Sequence, residues 1–262
     1  TNGYTFAGQR APGEETSEFV ASTDNWFRPV MVRNGPDGAL WIADMHRETI
    51  EHPEYISELD QARTDFTKGN DMGRIFRVYP VGVQPRPFKR LDTLSATELV
   101  AALEDVNPWV RDTAQRLLFE RQDETALPAL KALVTEGQQP LARVHALGAL
   151  DGMKALTPEL LLSCLTPGTD PGLQRHAIRL SDPYLNEVPE LAERVLAAMK
   201  SGDYQLRLQA AYSLGELNDP RAPIALGELL LQHQEDRIVG AAVFSGLYES
   251  DLPHIIDTLA TW

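Results

Sequence analysis

The sequence predicts an α+β chain of more than one domain: a short strand-rich part, then a long solenoid of stacked helix pairs. Two observations carry that class. First, an arginine or glutamine followed three places on by a small residue recurs as Arg111…Ala114, Arg143…Ala146, Gln174…Ala177, Arg207…Ala210 and Arg237…Gly240. The steps of 32, 31, 33 and 30 residues match the period of helix pairs that cannot bury their apolar faces singly and so must stack. Second, the residues upstream lack this period and set short apolar runs between turn-forming clusters, the pattern of strands.

Residues 1–80 offer candidate strands at 4–9, 18–21, 30–33, 40–43 and 74–79. Asn34-Gly35-Pro36-Asp37-Gly38 lies between the third and fourth; its proline and two glycines specify a tight turn, so these strands should pair as an antiparallel hairpin. Five short strands make about one blade of a radial β array and a piece of the next, a form that protects its edges by repetition. Between Asp44 and Gly73 the β pattern lapses into charged and aromatic residues, an insertion too long for a simple turn. Residues 81–94 read as a linker, because Pro85 and Pro87 break regular pairing.

Helices are expected over residues 95–262. Ser95-Ala96-Thr97-Glu98 is a capping box, in which Ser95 and Glu98 satisfy each other's exposed backbone donors. Thr157-Pro158 and Asp219-Pro220 each put a capping side chain before a proline at the first helical position. Apolar spacing such as Val110, Ala114, Leu117 and Leu118 is helical. It pairs 95–104 with 108–120, 125–136 with 140–151, 158–166 with 171–181, 188–200 with 204–217, and 220–233 with 236–248. A truncated final helix over 251–262 is left without a partner and exposes Leu252, Ile255, Ile256 and Leu259. The repeated alanines mark close approach of neighbouring helices. The arginines one turn earlier are placed to bond exposed carbonyls or an acid in the adjacent unit.

A formal charge of −14 disfavours a nucleic-acid backbone or an anionic membrane surface; a solvated acidic face is the plainer reading, and docking of a basic partner such as a small redox protein is the alternative. The single cysteine, Cys164, allows no internal disulfide and no Cys-x-x-Cys-His haem attachment; its apolar neighbours make it a buried structural thiol. No apolar run reaches the ~18 residues of a membrane span. Thr1 enters what reads as the middle of a strand-rich region, so a fragment or a processed product is expected.

Several strings are familiar together. They are Trp26-Phe27-Arg28-Pro29-Val30, the run from Gly35 to Arg47, Ile50-Glu51-His52-Pro53-Glu54-Tyr55, the run from Gly69 to Val78, and Asn107 to Leu118. In this order they resemble the membrane-bound dehydrogenases abundant in planctomycetes and verrucomicrobia. That family joins a sugar-dehydrogenase-like β-propeller to HEAT repeats and a c-type cytochrome domain. The resemblance implies a partial β-propeller blade followed by an α-helical HEAT-repeat solenoid. It further implies a periplasmic or otherwise exported, membrane-associated dehydrogenase passing electrons from an organic substrate, such as a sugar, to haem c. Its partners would be the remaining propeller blades, the cytochrome domain, and a protein on the concave HEAT face. Haem c, and a quinone such as PQQ, belong by that resemblance to the whole protein, and no cofactor is expected in this chain. The alternative is a HEAT-repeat protein-binding module without a redox role.

The insertion between Asp44 and Gly73 concentrates carboxylates and imidazoles, groups that bind divalent metals or move protons. No two fall at a recognised ligand spacing, so no metal is assigned, and ion pairs fastening the loop are the plainer reading. Candidate substrate or cofactor contacts are Arg28, Asp44, His46, Arg47 and His52. The two arginines would face an anionic group, and a histidine would accept a proton. Candidate interaction-face residues on the solenoid are Arg111, Arg143, His145, His176 and Arg207. His145 and His176 take the same repeat position, shared with Thr113, Gln209 and Val239, and should be neighbours. The chain should act as scaffold and interaction arm and not be catalytic alone, with catalytic residues unassigned; a free-standing enzyme using the charged insertion is the reading ranked last, because its groups lack a coherent spacing.

Overall fold

The computed structural model describes residues 6–88 and 90–260. Two compact units divide the chain: the first takes residues 9–91 with 106–110, and the second takes the rest.

In the first unit β1 (Pro29–Asn34), β2 (Leu40–Asp44) and β3 (Arg74–Val78) form an antiparallel sheet in that order. The expected hairpin is present, in the register Arg33↔Trp41 and Asn34↔Leu40. Asp37 closes its turn: the buried carboxylate accepts from the Ala39 amide at 3.1 Å and from Trp41 Nε1 at 3.0 Å, while Gly38 takes a φ of +79°. The Asn107 amide donates to the carbonyls of Gly35 and Pro36 at 2.9 and 3.2 Å, pinning the turn from outside the sheet.

Among the described residues three strands stand where five were expected. Residues 6–9 and 18–21 are irregular, and residues 4–5 lie outside the described residues. Arg10 explains the second loss, because its guanidinium donates to the carbonyl of Ser17 and the carboxylate of Glu18, curling this segment on itself. Within the insertion, a 3₁₀ turn (Pro53–Tyr55) and a single helical turn, α1 (Glu58–Gln61), are the regular pieces. β1 is exposed along its whole length, with Val30, Met31 and Val32 each about half or more open to solvent.

The second unit stacks helices. α2 (Ala96–Ala102) begins at the expected capping box of Ser95 and Glu98. α3 (Pro108–Arg121), α4 (Leu127–Glu136), α5 (Pro140–Gly152), α6 (Pro158–Cys164) and α7 (Pro171–Ser181) follow. After them come α8 (Pro189–Ala198), α9 (Tyr204–Leu214), α10 (Arg221–Gln232), α11 (Arg237–Ser245) and α12 (Leu252–Ala260), with residues 261–262 outside the described set. Consecutive helices pack as α4 on α5, α6 on α7, α8 on α9 and α10 on α11; α5, α7, α9 and α11 line up as one layer. Leu130, Leu147, Leu150, Leu161, Leu173 and Leu191 are wholly buried between the layers.

Three expectations are corrected here. α12 has a partner: it packs on α10, buries Ile255, and sets Thr258 against Gly227. Thr157 makes no capping bond to α6, and Pro220 is itself the N-cap of α10, with Asp219 accepting from the Arg221 amide at 2.8 Å. The fifth repeat is out of phase by three residues. Ala114, Ala146, Ala177 and Ala210, all fully buried, each lie seven residues after a helix-capping position, at Asn107, Gln139, Asp170 and Asp203. In α11 the cap is Asp236, which accepts from the amides of Ile238 and Val239, so Val243 holds the alanine position and Gly240 the arginine one. The cap, not the residue types, sets helix phase.

Candidate functional site

In the first unit the end of β2 is the centre of a charged cluster. Asp44 is 2% exposed, and one carboxylate oxygen accepts from the amides of Arg28 at 2.7 Å and His46 at 2.9 Å. The other oxygen accepts from Arg74 Nε at 3.2 Å; Arg74 lies directly across the β2–β3 ladder from Asp44. Arg74 also pairs with Asp24 at 2.9 Å and donates to the imidazole of His46, which stacks obliquely on Trp26. Lys68 stands over the other ring partner, 5.2 Å from the centre of Trp26. Burial pushes the Asp44 carboxyl up, but the two amides and the Arg74 guanidinium outweigh it and hold its pKa below the ordinary range.

The backbone here is specialised. His46 sits at a φ of +48°, and Gly69 at +89°. A Cβ on Gly69 would stand 2.5 Å from the His46 carbonyl oxygen, so only glycine lets the insertion close over this turn.

Of the five contact candidates, Asp44 and His46 meet, and Arg28 joins them through its amide. The Arg28 guanidinium turns to the carbonyls of Asn25, Phe27 and Glu48 instead of facing an anion. Arg47 donates to the Thr67 carbonyl at 3.0 Å, stapling the insertion. His52 caps the 3₁₀ turn by accepting from the Glu54 amide and rests against Tyr55. Asp24, Trp26, Lys68 and Arg74 were not among the candidates. Only the β2–β3 register, which faces Asp44 with Arg74, could have named one of them. Among the described residues no three His, Cys, Asp or Glu side chains converge as metal ligands.

In the second unit the recurring cations serve carbonyls. Arg111 donates to the carbonyl of Asp105 at 2.8 Å, Arg143 to Val134 at 2.7 Å and Arg207 to Ser201 at 2.6 Å; Gln174 bonds the carbonyls of Thr166 and Thr169. Each therefore ties the start of its helix to the segment before it, at the last turn of α4 for Arg143 and in the connecting turns after α2, α6 and α8 for Arg111, Gln174 and Arg207. His145 hydrogen-bonds Gln115 through Nδ1 at 2.6 Å and lies 3.8 Å from Asp112, tying α5 to α3. Burial lowers the pKa of both His145 and His176, and each feels the charge of nearby arginines. The position they share holds Ala242 in α11, not Val239, by the cap register described above. Cys164 is fully buried, and burial raises its pKa.

No helix among the described residues is long and apolar enough to cross a membrane. Residues 1–82 match a domain of unknown function (DUF7133), and residues 158–247 match HEAT repeats. The helices from α6 to α11 thus match HEAT repeats, which suggests a helical protein-interaction module. No curated protein matches the chain. Among solved structures, the crystal structure of an engineered protein, a Northeast Structural Genomics Consortium target, is 17% identical. It covers 63% of this chain and 85% of that one, with a TM-score of 0.38, too loose a likeness to inform either fold or function.

Proposed function

We propose that this chain is the junction between a β-propeller and a HEAT arm in an exported, membrane-associated dehydrogenase, and that the arm docks the electron-accepting c-type cytochrome. The propeller and redox parts of this reading rest on the resemblance of the strings quoted above. Haem c, and a quinone such as PQQ, would sit in other parts of the protein. The open, apolar β1 is consistent with a sheet that packs against further blades.

The observation that carries the docking role is where the charge lies. The helical unit holds 25 Asp and Glu against 13 Lys and Arg, so it supplies nearly all of the chain's net charge. An acidic helical arm attracts a basic protein by steering and by complementary rim charges. The Asp44 cluster, with its acceptors matched by its own donors, fits a fastening role for the insertion and not a reacting one. Titrating the chain with a basic c-type cytochrome, read by calorimetry, should give saturable binding at low salt. The affinity should fall steeply as ionic strength rises toward about 0.3 M, where charges are screened beyond a few ångströms. An absence of binding at low salt would remove the redox role and leave a HEAT module for some other protein. That second reading is favoured by the HEAT match itself, which speaks of protein interaction alone.

A further inference from the structure

The insertion of residues 45–73 leaves the sheet at Asp44 and returns to it at Arg74, and these two residues face each other across the β2–β3 ladder. Their ion pair, Arg74 Nε to Asp44 at 3.2 Å, is therefore a clasp at the neck of the insertion. One group beside the clasp can change its charge. The His46 side chain is 7% exposed, and its Nδ1 meets a terminal nitrogen of Arg74. A guanidinium has donors and no acceptor, so the ring nitrogen that meets it must offer a lone pair. That same Nδ1 lies 3.7 Å from Asp24 and 3.8 Å from Asp44.

The charges around the ring leave room for a proton. Asp24 and Asp44 face the single positive charge of Arg74. The Trp26 amide holds the Asp24 carboxyl below its ordinary range, and Asp44 is held low as well, so both stay charged in mildly acid solution. The other cations nearby are engaged: Lys68 with Glu48 at 2.8 Å, and Arg28 and Arg47 with backbone carbonyls. We infer that the clasp is proton-sensitive: a proton on His46 Nδ1 displaces Arg74, the imidazolium takes over the carboxylates, and the neck of the insertion opens. One lone pair cannot hold a proton and accept from Arg74 at once, so the two states exclude each other. A His46–Asp44 pair joins residues two apart and ties nothing across the ladder. The released Arg74 has a place to rest, because its guanidinium already overlies the Phe76 ring at 5.5 Å and its side chain is 42% exposed. The amides of Arg28 and His46 stay on the other Asp44 oxygen, so the turn after β2 persists while the cross-ladder tie is lost. This device is independent of the docking role proposed above.

The test is hydrogen exchange of the whole chain, read by mass spectrometry at about pH 8 and about pH 5, the range over which an imidazole changes charge. After correction for the intrinsic pH dependence of exchange, peptides from residues 45–73 should lose protection at the lower pH relative to peptides from the β1–β2 hairpin. Trp26, whose ring lies 5.5 Å from that of His46, should lose fluorescence over the same range, since an imidazolium quenches indole; Trp26→Phe identifies its share of the emission. His46→Asn removes the titrating ring and keeps a residue that tolerates the φ of +48°, so both pH effects should vanish. Arg74→Gln removes the clasp itself and should leave the insertion poorly protected at both pH values, which keeps the test decisive if the asparagine variant does not fold. Equal protection of the wild-type insertion at the two pH values would overturn the proposal, as would a pH-dependent loss that persists in His46→Asn. A loss spread evenly over the hairpin and the helical unit would also overturn it, in favour of general acid unfolding.

Discussion

Asp44 shows how much one buried carboxylate can organise. Its two oxygens hold the amides that lead into and out of β2 and the arginine facing it on β3. Asp44→Ala would leave the buried His46 amide without its acceptor and take one partner from the Arg28 amide and from Arg74, which keeps Asp24, and should cost about 2 kcal/mol. Asp44→Asn, which keeps one good acceptor, should cost less; urea unfolding followed by Trp26 and Trp41 fluorescence separates the two. Because the folded pKa lies below the ordinary 3.8, this stabilisation is present above that pH and disappears as the pH falls through the folded value. Asp44 itself was visible in the sequence, as an acid at a strand end. Its partner was not: Arg74 is 30 residues away, and Asp24 lies 50 residues from Arg74. Local spacing carries no record of such pairs.

Helices are linked across the array by polar side chains as well as by leucines. His145 reaches from α5 to Gln115 of α3. His176 holds the equivalent place in α7, where Arg175 and Arg179 lower its pKa further. With folded pKa values below the ordinary 6.5, both rings bind protons more readily in the unfolded chain. The penalty is absent well above pH 6.5 and accumulates as pH falls through that value toward the folded ones. Asp112 opposes the shift at His145. Asp182, whose pKa is raised by burial, works in the opposite direction at lower pH. The melting temperature of the helical unit should therefore drop between pH 7.5 and 5.5, and the His145→Gln/His176→Gln double variant should flatten that slope. An unchanged slope would place the proton-sensitive groups elsewhere. The last four of the five expected helix pairs were legible, because capping residues and apolar periodicity act over a few neighbours; α2 packs on α4 and the turn at Glu124–Ala126. The phase slip in α11 was not, because Arg237 and Gly240 imitate the pattern while Asp236 starts the helix three residues late relative to it.

Charge asymmetry governs the behaviour of the chain as a unit. With nearly twice as many acids as bases, the helical unit repels itself. Raising sodium chloride from about 0.02 to 0.3 M should screen that repulsion and lift its melting temperature by about 3 °C, the shift worth roughly 1 kcal/mol in a domain of this size. A fall instead would mean that the surface ion pairs, such as Arg221 with Glu193 and Asp219, outweigh the net repulsion. Net charge, the helix-pair period, the Asp37 turn and the buried alanines could all be read in one dimension, since each depends on composition or on residues a few places apart. The docking of α12 on α10 and the meeting of Asp24, Asp44 and His46 at Arg74 could not. They arise from the register of distant segments, which packing sets and no short stretch of chain encodes.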